Sequence, residues 1–320
     1  MRRTRGAALL VAMLTVTLVA TFATAALWQQ WRSVEVEAAD RSRVQSSWIL
    51  TGALDWARLI LREDASSADH LGEPWAVPLQ EARLSTFLAA DQNNNTEASD
   101  ADNVFLSGDI TDLQSRLNVG SLVVAGTLQK DAVENFRRLF ELLGLPPGQM
   151  ASMAENLRFA EDINVDNQNA RRAPLPPRRL EQLAWLGLPP ETVAALEPYV
   201  TLLPTPVRGI NLNTAPAEVI YAAGRDLSLA DAQRLVGARQ QRHFVNGEDV
   251  RSIVPEVKFP QGNDAYGSEY FEVRGRLRID KVAIEERSIV FRDRNRRREV
   301  RTIERERGGF ETFAPSEARR

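Results

Sequence analysis

His70 and His243 are the only imidazoles in a chain of 320 residues, and no cysteine accompanies them. They stand far apart, and neither has a second ligand at metal-binding spacing. Thiolate catalysis and Cys-based metal centres are therefore excluded, and each histidine reads as a surface or hydrogen-bonded core residue. The sequence contains no G-x-S-x-G elbow, P-loop or G-x-G-x-x-G, the patterns that would place a nucleophile or cradle a phosphate. Nothing argues for an enzyme. With no disulfide available even in an oxidising compartment, stability must come from packing, with a hard cation as the one inorganic aid that these residue types allow.

The elements that hold these residues begin with a membrane segment. Arg2, Arg3 and Arg5 are followed by Gly6 and the uncharged run Ala7 to Leu27, which at about 1.5 Å per residue can cross a hydrocarbon core of about 30 Å. The leading arginines keep the N-terminus cytoplasmic and put the rest of the chain across the membrane. Two processing routes are open. Ala23-Thr24-Ala25 could be a signal-peptidase site that releases a soluble protein. Alternatively, Gly6 marks a type IV prepilin leader, cut on the cytoplasmic side so that the helix is kept. The glycine at the charged-to-apolar junction and the length of the apolar run favour retention, as does the pattern beyond it. Trp28 and Trp31 suit an interfacial belt. From Val34 to Leu61 there is no proline and only one glycine, with Val34, Val44, Trp48, Leu54, Trp56 and Leu59 to Leu61 set among charged residues as in an amphipathic helix.

A turn-rich crossing at His70 to Pro78 follows, and Leu79 to Ala89 reads as a short helix. The segment Asp91 to Asn103, DQNNNTEASDADN, has no large apolar group and reads as a solvated loop. Val104 to Ile110 looks like a strand. Helical patterns occupy Leu128 to Leu143, Gln149 to Phe159, Arg178 to Leu186, Pro190 to Leu196, Ala215 to Ala223 and Leu229 to Gln241, with a proline- and arginine-rich linker at Ala170 to Arg179. The period then changes to two. Tyr270 to Ile279, Val282 to Arg292 and Glu299 to Glu306 alternate apolar and charged residues, which predicts a three-strand antiparallel meander with one wet face, turning at Asp280-Lys281 and Arg294 to Arg297. The arginines of 287–307 are interleaved with acids and read as a solvated strand face. The fold class expected is α+β: a long N-terminal helix and an antiparallel sheet, with an all-helical domain inserted.

These features resemble a family. The leader with Gly6, the segment Gly108-Asp109-Ile110-Thr111-Asp112-Leu113-Gln114-Ser115-Arg116-Leu117-Asn118, and Gly209-Ile210-Asn211-Leu212-Asn213-Thr214-Ala215-Pro216 are similar to the K-type minor pseudopilins (GspK) of type II secretion systems. The resemblance spans nearly the whole chain and singles out Gly108, Asp109, Asp112, Gln114, Asn118, Asn211, Asn213 and Thr214. It implies a type IV pilin-like fold divided into a leader (1–6), a transmembrane helix (7–27), a pilin-like part (28–120), an inserted helical domain (121–258), a β-meander (259–310) and a disordered tail (311–320). It further implies a place at the tip of the periplasmic pseudopilus, initiating and capping assembly. The partners implied are the I- and J-type minor pseudopilins, other pseudopilins, the inner-membrane secretion platform and prepilin peptidase, which would cut between Gly6 and Ala7 and methylate the new amine. Small residues Ala7, Ala8, Ala12, Ala20, Ala23 and Ala26 would pack against partner helices.

Family members can carry calcium, so the resemblance also implies Ca2+. The usual Asp-Trp-x-Asp motif is replaced here by Ala160-Glu161-Asp162-Ile163-Asn164-Val165-Asp166. Asp162 and Asp166 with Asn164, and the loop with Asp91, Asn93, Asn95 and Asp102, supply hard oxygens, although that loop lacks a glutamate at the EF-hand distance. At mature position five, where most pilin-like subunits place a glutamate answered by a neighbour's amine, this chain has Val11. A subunit with nothing above it needs no such acid, since an unpaired charge in lipid is expensive.

The stretch Ile210 to Val250 also looks like a helix-hairpin-helix module, which would make the chain a membrane-anchored DNA-uptake factor. Thr214 is a candidate N-cap, and Ser228 with Asp231 makes an acidic capping box. The connection Gly224-Arg225-Asp226-Leu227-Ser228 has one glycine and an aspartate, whereas phosphate contact needs glycine amides and basic residues. With a formal net charge of −3 the chain has no overall attraction for nucleic acid. A sterile alpha motif-like helical fold used for packing is the expected alternative.

Overall fold

The computed structural model describes residues 4–64, 66–89, 103–162, 173–203, 207, 209–260, 262, 264–279, 282–294, 299–308 and 311–312. Helix α1 runs Thr4–Glu63 without a break, as a stretch without proline allows. Two compact units divide the chain, the first ending at Ala53 and the second beginning at Leu54. In the first, the hydroxyls of Thr15, Thr17, Thr21 and Thr24 donate to carbonyls three or four residues back, so the apolar run keeps its side-chain polar groups satisfied internally. From Ala7 the helix is long and apolar enough to cross a membrane, with a best mean hydropathy of 2.2. Its large side chains stand exposed, Val11 at 61%.

In the second unit the order is β1 (Leu79–Arg83), α2 (Leu84–Ala89), β2 (Val104–Asp112), β3 (Leu117–Asn118), β4 (Val123–Val124), β5 (Thr127–Leu128), α3 (Lys130–Leu142), α4 (Pro147–Ala160), α5 (Pro190–Leu196), β6 (Val200–Thr201), β7 (Ile210–Asn211), α6 (Ala217–Ala223), α7 (Leu229–Gln241), α8 (Gly247–Ile253), β8 (Asp264–Ala265), β9 (Tyr270–Ile279), β10 (Val282–Arg292), β11 (Val300–Arg307) and β12 (Glu311–Thr312). The main sheet is antiparallel, in the order β1-β2-β9-β10-β11, with β12 also on β10. Neighbouring strands β2 and β9 are thus separated in sequence by the helical part, which leaves the sheet after Asp112 and returns before Tyr270.

Period two explains how this sheet is covered. Phe271, Val273, Val290 and Val300 meet Leu54, Ala57 and Leu61 of α1 on one face, where Trp75 packs edge-on to Phe271 at 5.2 Å. Tyr270 and Ile289 point the other way and join Leu113 and Leu203, so the insert seats on the opposite face. Each such buried side chain contributes about 1.5–3 kcal/mol. The expected wet face is therefore covered at the Tyr270 end and open only further along, where Arg274 and Arg276 are exposed. The arginines of β11 are exposed as expected, but two acids, one on each face of the sheet, are buried. Glu272 is buried between Arg274 and Arg287, each at 2.5 Å, and buried Glu286 accepts from Arg305 and Arg307.

The insert has its own core, in which Phe136, Phe140, Met153, Leu186, Ile220, Leu235 and Phe244 are fully or nearly fully buried. Its helices start where the sequence caps them: Ser228 and Asp231 make the reciprocal box of α7, and Asn246 with Asp249 does the same for α8. Two local expectations are corrected. Leu79–Arg83 is a strand and only Leu84–Ala89 is helical, because pairing with β2 outweighs a weak helical pattern. Helix α6 begins at Ala217 with Pro216 at its N-cap; Thr214 does not cap it, since its hydroxyl is taken by Asp112.

Candidate functional site

Asp112 ends β2 and caps the tight turn Leu113–Ser115, its Oδ1 accepting from the Gln114 amide at 2.8 Å. Its other oxygen, Oδ2, accepts from Thr214 Oγ1 at 2.6 Å, Ser268 Oγ at 2.6 Å and Asn211 Nδ2 at 2.9 Å. This carboxylate is 2% exposed and has neutral donors on every side. Burial raises its pKa above the ordinary value, against the pull of Ser268, Thr214 and Asn211.

The other motif residues complete a joint. Asn211 Nδ2 also reaches the Asp69 carbonyl at 3.0 Å, and Asn211 Oδ1 accepts from the Asn213 amide. Asn213 grips the backbone of Phe244 with both ends of its side-chain amide, at 2.7 and 2.9 Å. Gln114 Oε1 accepts from the Glu269 amide at 2.7 Å, and Asn118 Oδ1 from the amides of Gly120 and Leu203. Gly108 is required by close approach: a Cβ there would lie 2.5 Å from the Arg274 carbonyl oxygen. Asp109 stays on the strand surface, accepting from Thr111 at 3.2 Å. The arrangement joins the exit of β2, the start of the second motif and the return into β9. It holds chain segments together: the buried Thr214 and Ser268 hydroxyls are spent as donors to Asp112.

A second layer lies behind it, and sequence reasoning missed it. Asp69, fully buried, accepts from Arg292 Nη2 on both oxygens at 2.5 and 2.6 Å, from Arg294 at 2.8 Å and from the Ser268 amide at 2.6 Å. Burial pushes Asp69 up to about 6, against the downward pull of the two guanidiniums. Asp64, Asp69 and Glu73 bring ligand oxygens within 4.8 Å of one another, a grouping that could hold a metal ion. Yet Arg292 already bonds both Asp64 and Asp69, while Glu73 accepts from the His70 amide and Trp75 Nε1. A calcium ion wants six to eight oxygens and would have to displace a buried guanidinium, so these donors fit the arginine better than calcium.

Among the described residues of the second unit, no further metal-ligand candidate joins this group. Gly6, Ala7 and Val11 lie in the first unit. Asp162 follows the end of α4, and Asp91, Asn93, Asn95, Asp102, Asn164 and Asp166 are outside the described residues. His70 and His243, distant in sequence, stack on each other at 4.1 Å and 10°, with His70 Nδ1 accepting from the Gly72 amide.

The connection at 224–228 has its polar groups engaged by neighbouring residues, with Asp226 exposed. The Gly224 amide donates to Ile220, Arg225 reaches Asn135 at 2.9 Å, and Asp226 pairs with Lys258. Arg138 and Arg239 likewise donate to carbonyls, of Tyr221 and Leu212 among others. Those guanidinium donors are spent on packing, whereas phosphate contact needs free basic groups beside glycine amides.

Comparison with known proteins agrees with this geometry. A family model described as Type II secretion system (T2SS), protein K matches residues 210–265, and a second with the same description matches 115–205. Type II secretion system protein K of Pseudomonas aeruginosa is 26% identical over 317 residues, covering 91% of this chain and 88% of the relative. The protein of that name from Dickeya chrysanthemi is 26% identical over 361 residues, covering 98% and 99%. One chain of the crystal structure of the GspK-GspI-GspJ complex from the enterotoxigenic Escherichia coli type 2 secretion system superposes with a TM-score of 0.59 at 18% identity, over 85% of this chain and 98% of that one. Asp112 stands just before the first matched stretch, while Gln114's neighbours, Asn118, Asn211, Asn213 and Thr214 fall within the two. On these grounds the chain is similar, over nearly its whole length, to type II secretion system protein K.

Proposed function

We propose that this protein caps and initiates the periplasmic pseudopilus of a type II secretion system, and so supports export of folded proteins. The observation that carries this reading is Val11, an uncharged residue exposed on α1 where a filament-extending subunit needs a glutamate. A tip subunit has no neighbour above to supply the compensating amine. The insert seated on the sheet by the Asp112 joint supports the same reading, because bulk on that face obstructs stacking.

In this reading α1 spans the inner membrane once, with a cytoplasmic N-terminus and a periplasmic remainder. Prepilin peptidase cuts after Gly6, Ala7 is methylated, and 121–258 forms the inserted domain, a sterile alpha motif-like packing module. The relative's complex with GspI and GspJ supports I- and J-type pseudopilins as partners here too. The resemblance assigns calcium to the oxygen-rich 91–102 stretch and to Asp162 with Asp166, tested by the melting midpoint with calcium and with chelator.

The deciding experiment has two parts. Mass spectrometry of protein made in a cell with prepilin peptidase is expected to find methylated Ala7, whereas a chain beginning at Ala26 would overturn the pilin reading. Val11→Glu is expected to impair filament initiation; a variant found along whole filaments with secretion intact would overturn the tip position.

A further inference from the structure

Arg116 lies between Ser115 and the start of β3, within the family-like segment, and is half-buried. Its guanidinium has no hydrogen-bond or ion-pair partner among the described residues. This is unusual company for a charge, since buried cations are normally paired. Glu272 and Glu197 act on it only at a distance, and Glu272 is already held by Arg274 and Arg287.

Arg116 also borders a cleft of about 20 Å³, between the insert and the outer face of β10 and β11. Arg178, Arg179 and Arg287 line the same cleft, with Glu304 and Glu306 opposite. Glu306 is paired with Arg179 at 2.7 Å. Burial draws the Arg116 guanidinium below its ordinary value, the direction expected of a cation short of compensation. A water-sized group needs roughly 10–15 Å³ by the same kind of measure, so the cleft has room for one small polar group.

We propose that this cleft binds a carboxylate, held by the planar fork of Arg116 and attracted by the surplus of arginines around Glu272. Guanidinium and carboxylate match in geometry, two N–H donors to two oxygens. The carboxylate can come from a free small acid or from a protein side chain, and Glu304 on the cleft wall is its internal competitor.

The test uses the full chain in detergent micelles, with the melting midpoint followed against sodium acetate in one arm and a blocked glutamate peptide in the other, at constant ionic strength in chloride. A saturable rise with either probe, lost in Arg116→Ala and kept in Arg301→Ala, supports the site; the more effective probe identifies the source. Glu304→Gln should tighten binding. If Arg116→Ala does not fold, Arg116→Lys, which keeps the charge but not the fork, should weaken binding by roughly tenfold. No rise with either probe, or an equal rise in the Arg116 variant, overturns the proposal.

Discussion

Asp112 and Asn211 meet side chain to side chain at 2.9 Å, one at the exit of the sheet and the other where the second family-like segment begins. Asp112→Ala would leave Asn211, Thr214, Ser268 and the Gln114 amide without their shared acceptor. Unsatisfied buried donors cost about 1–3 kcal/mol each, partly recovered if water enters. A loss of about 3 kcal/mol or more is expected in urea unfolding of the full chain in micelles. A loss under about 1 kcal/mol would mean that the joint does not anchor the insert.

The same carboxyl gives a pH signature. Its pKa in the fold is raised above 3.8, so between 3.8 and the raised value the folded state binds more protons than the unfolded one. The contribution is fully present below 3.8 and is lost as pH rises through the raised value. Asp112→Asn removes this titration at nearly constant shape. The melting midpoint of the wild type minus that of the Asn variant should therefore fall as pH is raised from 4 toward neutrality. A difference that is flat or rises with pH would contradict the assignment.

What was legible in the sequence depended on how locally each structure is determined. The α1 helix and the β9–β10 hairpin are readable because uninterrupted helical pattern and period two act within a few residues; the hairpin pairs in unbroken register from Tyr270 with Phe291 to Ile279 with Val282. The edge strand β1 is not, since its only reason to be extended is β2 beside it. At the joint, Asp112, Asn211, Asn213 and Thr214 are readable only through the resemblance. Local rules assign Thr214 to a cap, and nothing near Asp69 in sequence announces Arg292 or Ser268. The histidine stack is hidden for the same reason.

Two glycines should respond in opposite directions to the same substitution. Gly108 faces Gly275 across β2 and β9, and a Cβ on it would press the Arg274 carbonyl at 2.5 Å. Strands would have to separate, so Gly108→Ala should cost about 2 kcal/mol or more. Gly237 sits inside α7, and a Cβ there meets nothing within 4 Å. Gly237→Ala should instead stabilise by about 0.5–1 kcal/mol through helix propensity. Thermal melts of the two variants check the pair; stabilisation by Gly108→Ala would show that the strands give way freely there.

Arg292 separates the two roles open to the Asp64, Asp69 and Glu73 group. In the wild type the guanidinium compensates Asp64 and Asp69 from inside the fold, at 2.8 and 2.5 Å. Arg292→Met keeps an apolar stem over Phe271, where the guanidinium carbon now stands 4.8 Å from the ring centroid, but takes the cation from Asp64 and leaves Asp69 with Arg294 alone. Removing one partner of a buried pair costs about 3–5 kcal/mol, so a marked fall in melting midpoint is expected in chelator. Part of that loss should return on adding calcium or manganese, because the under-compensated carboxylates then offer negative charge that a cation can balance. The readout is the difference in cation response between variant and wild type, which cancels any cation bound elsewhere. Equal responses in the two proteins would mean that Arg292 does not occupy the position a metal would take.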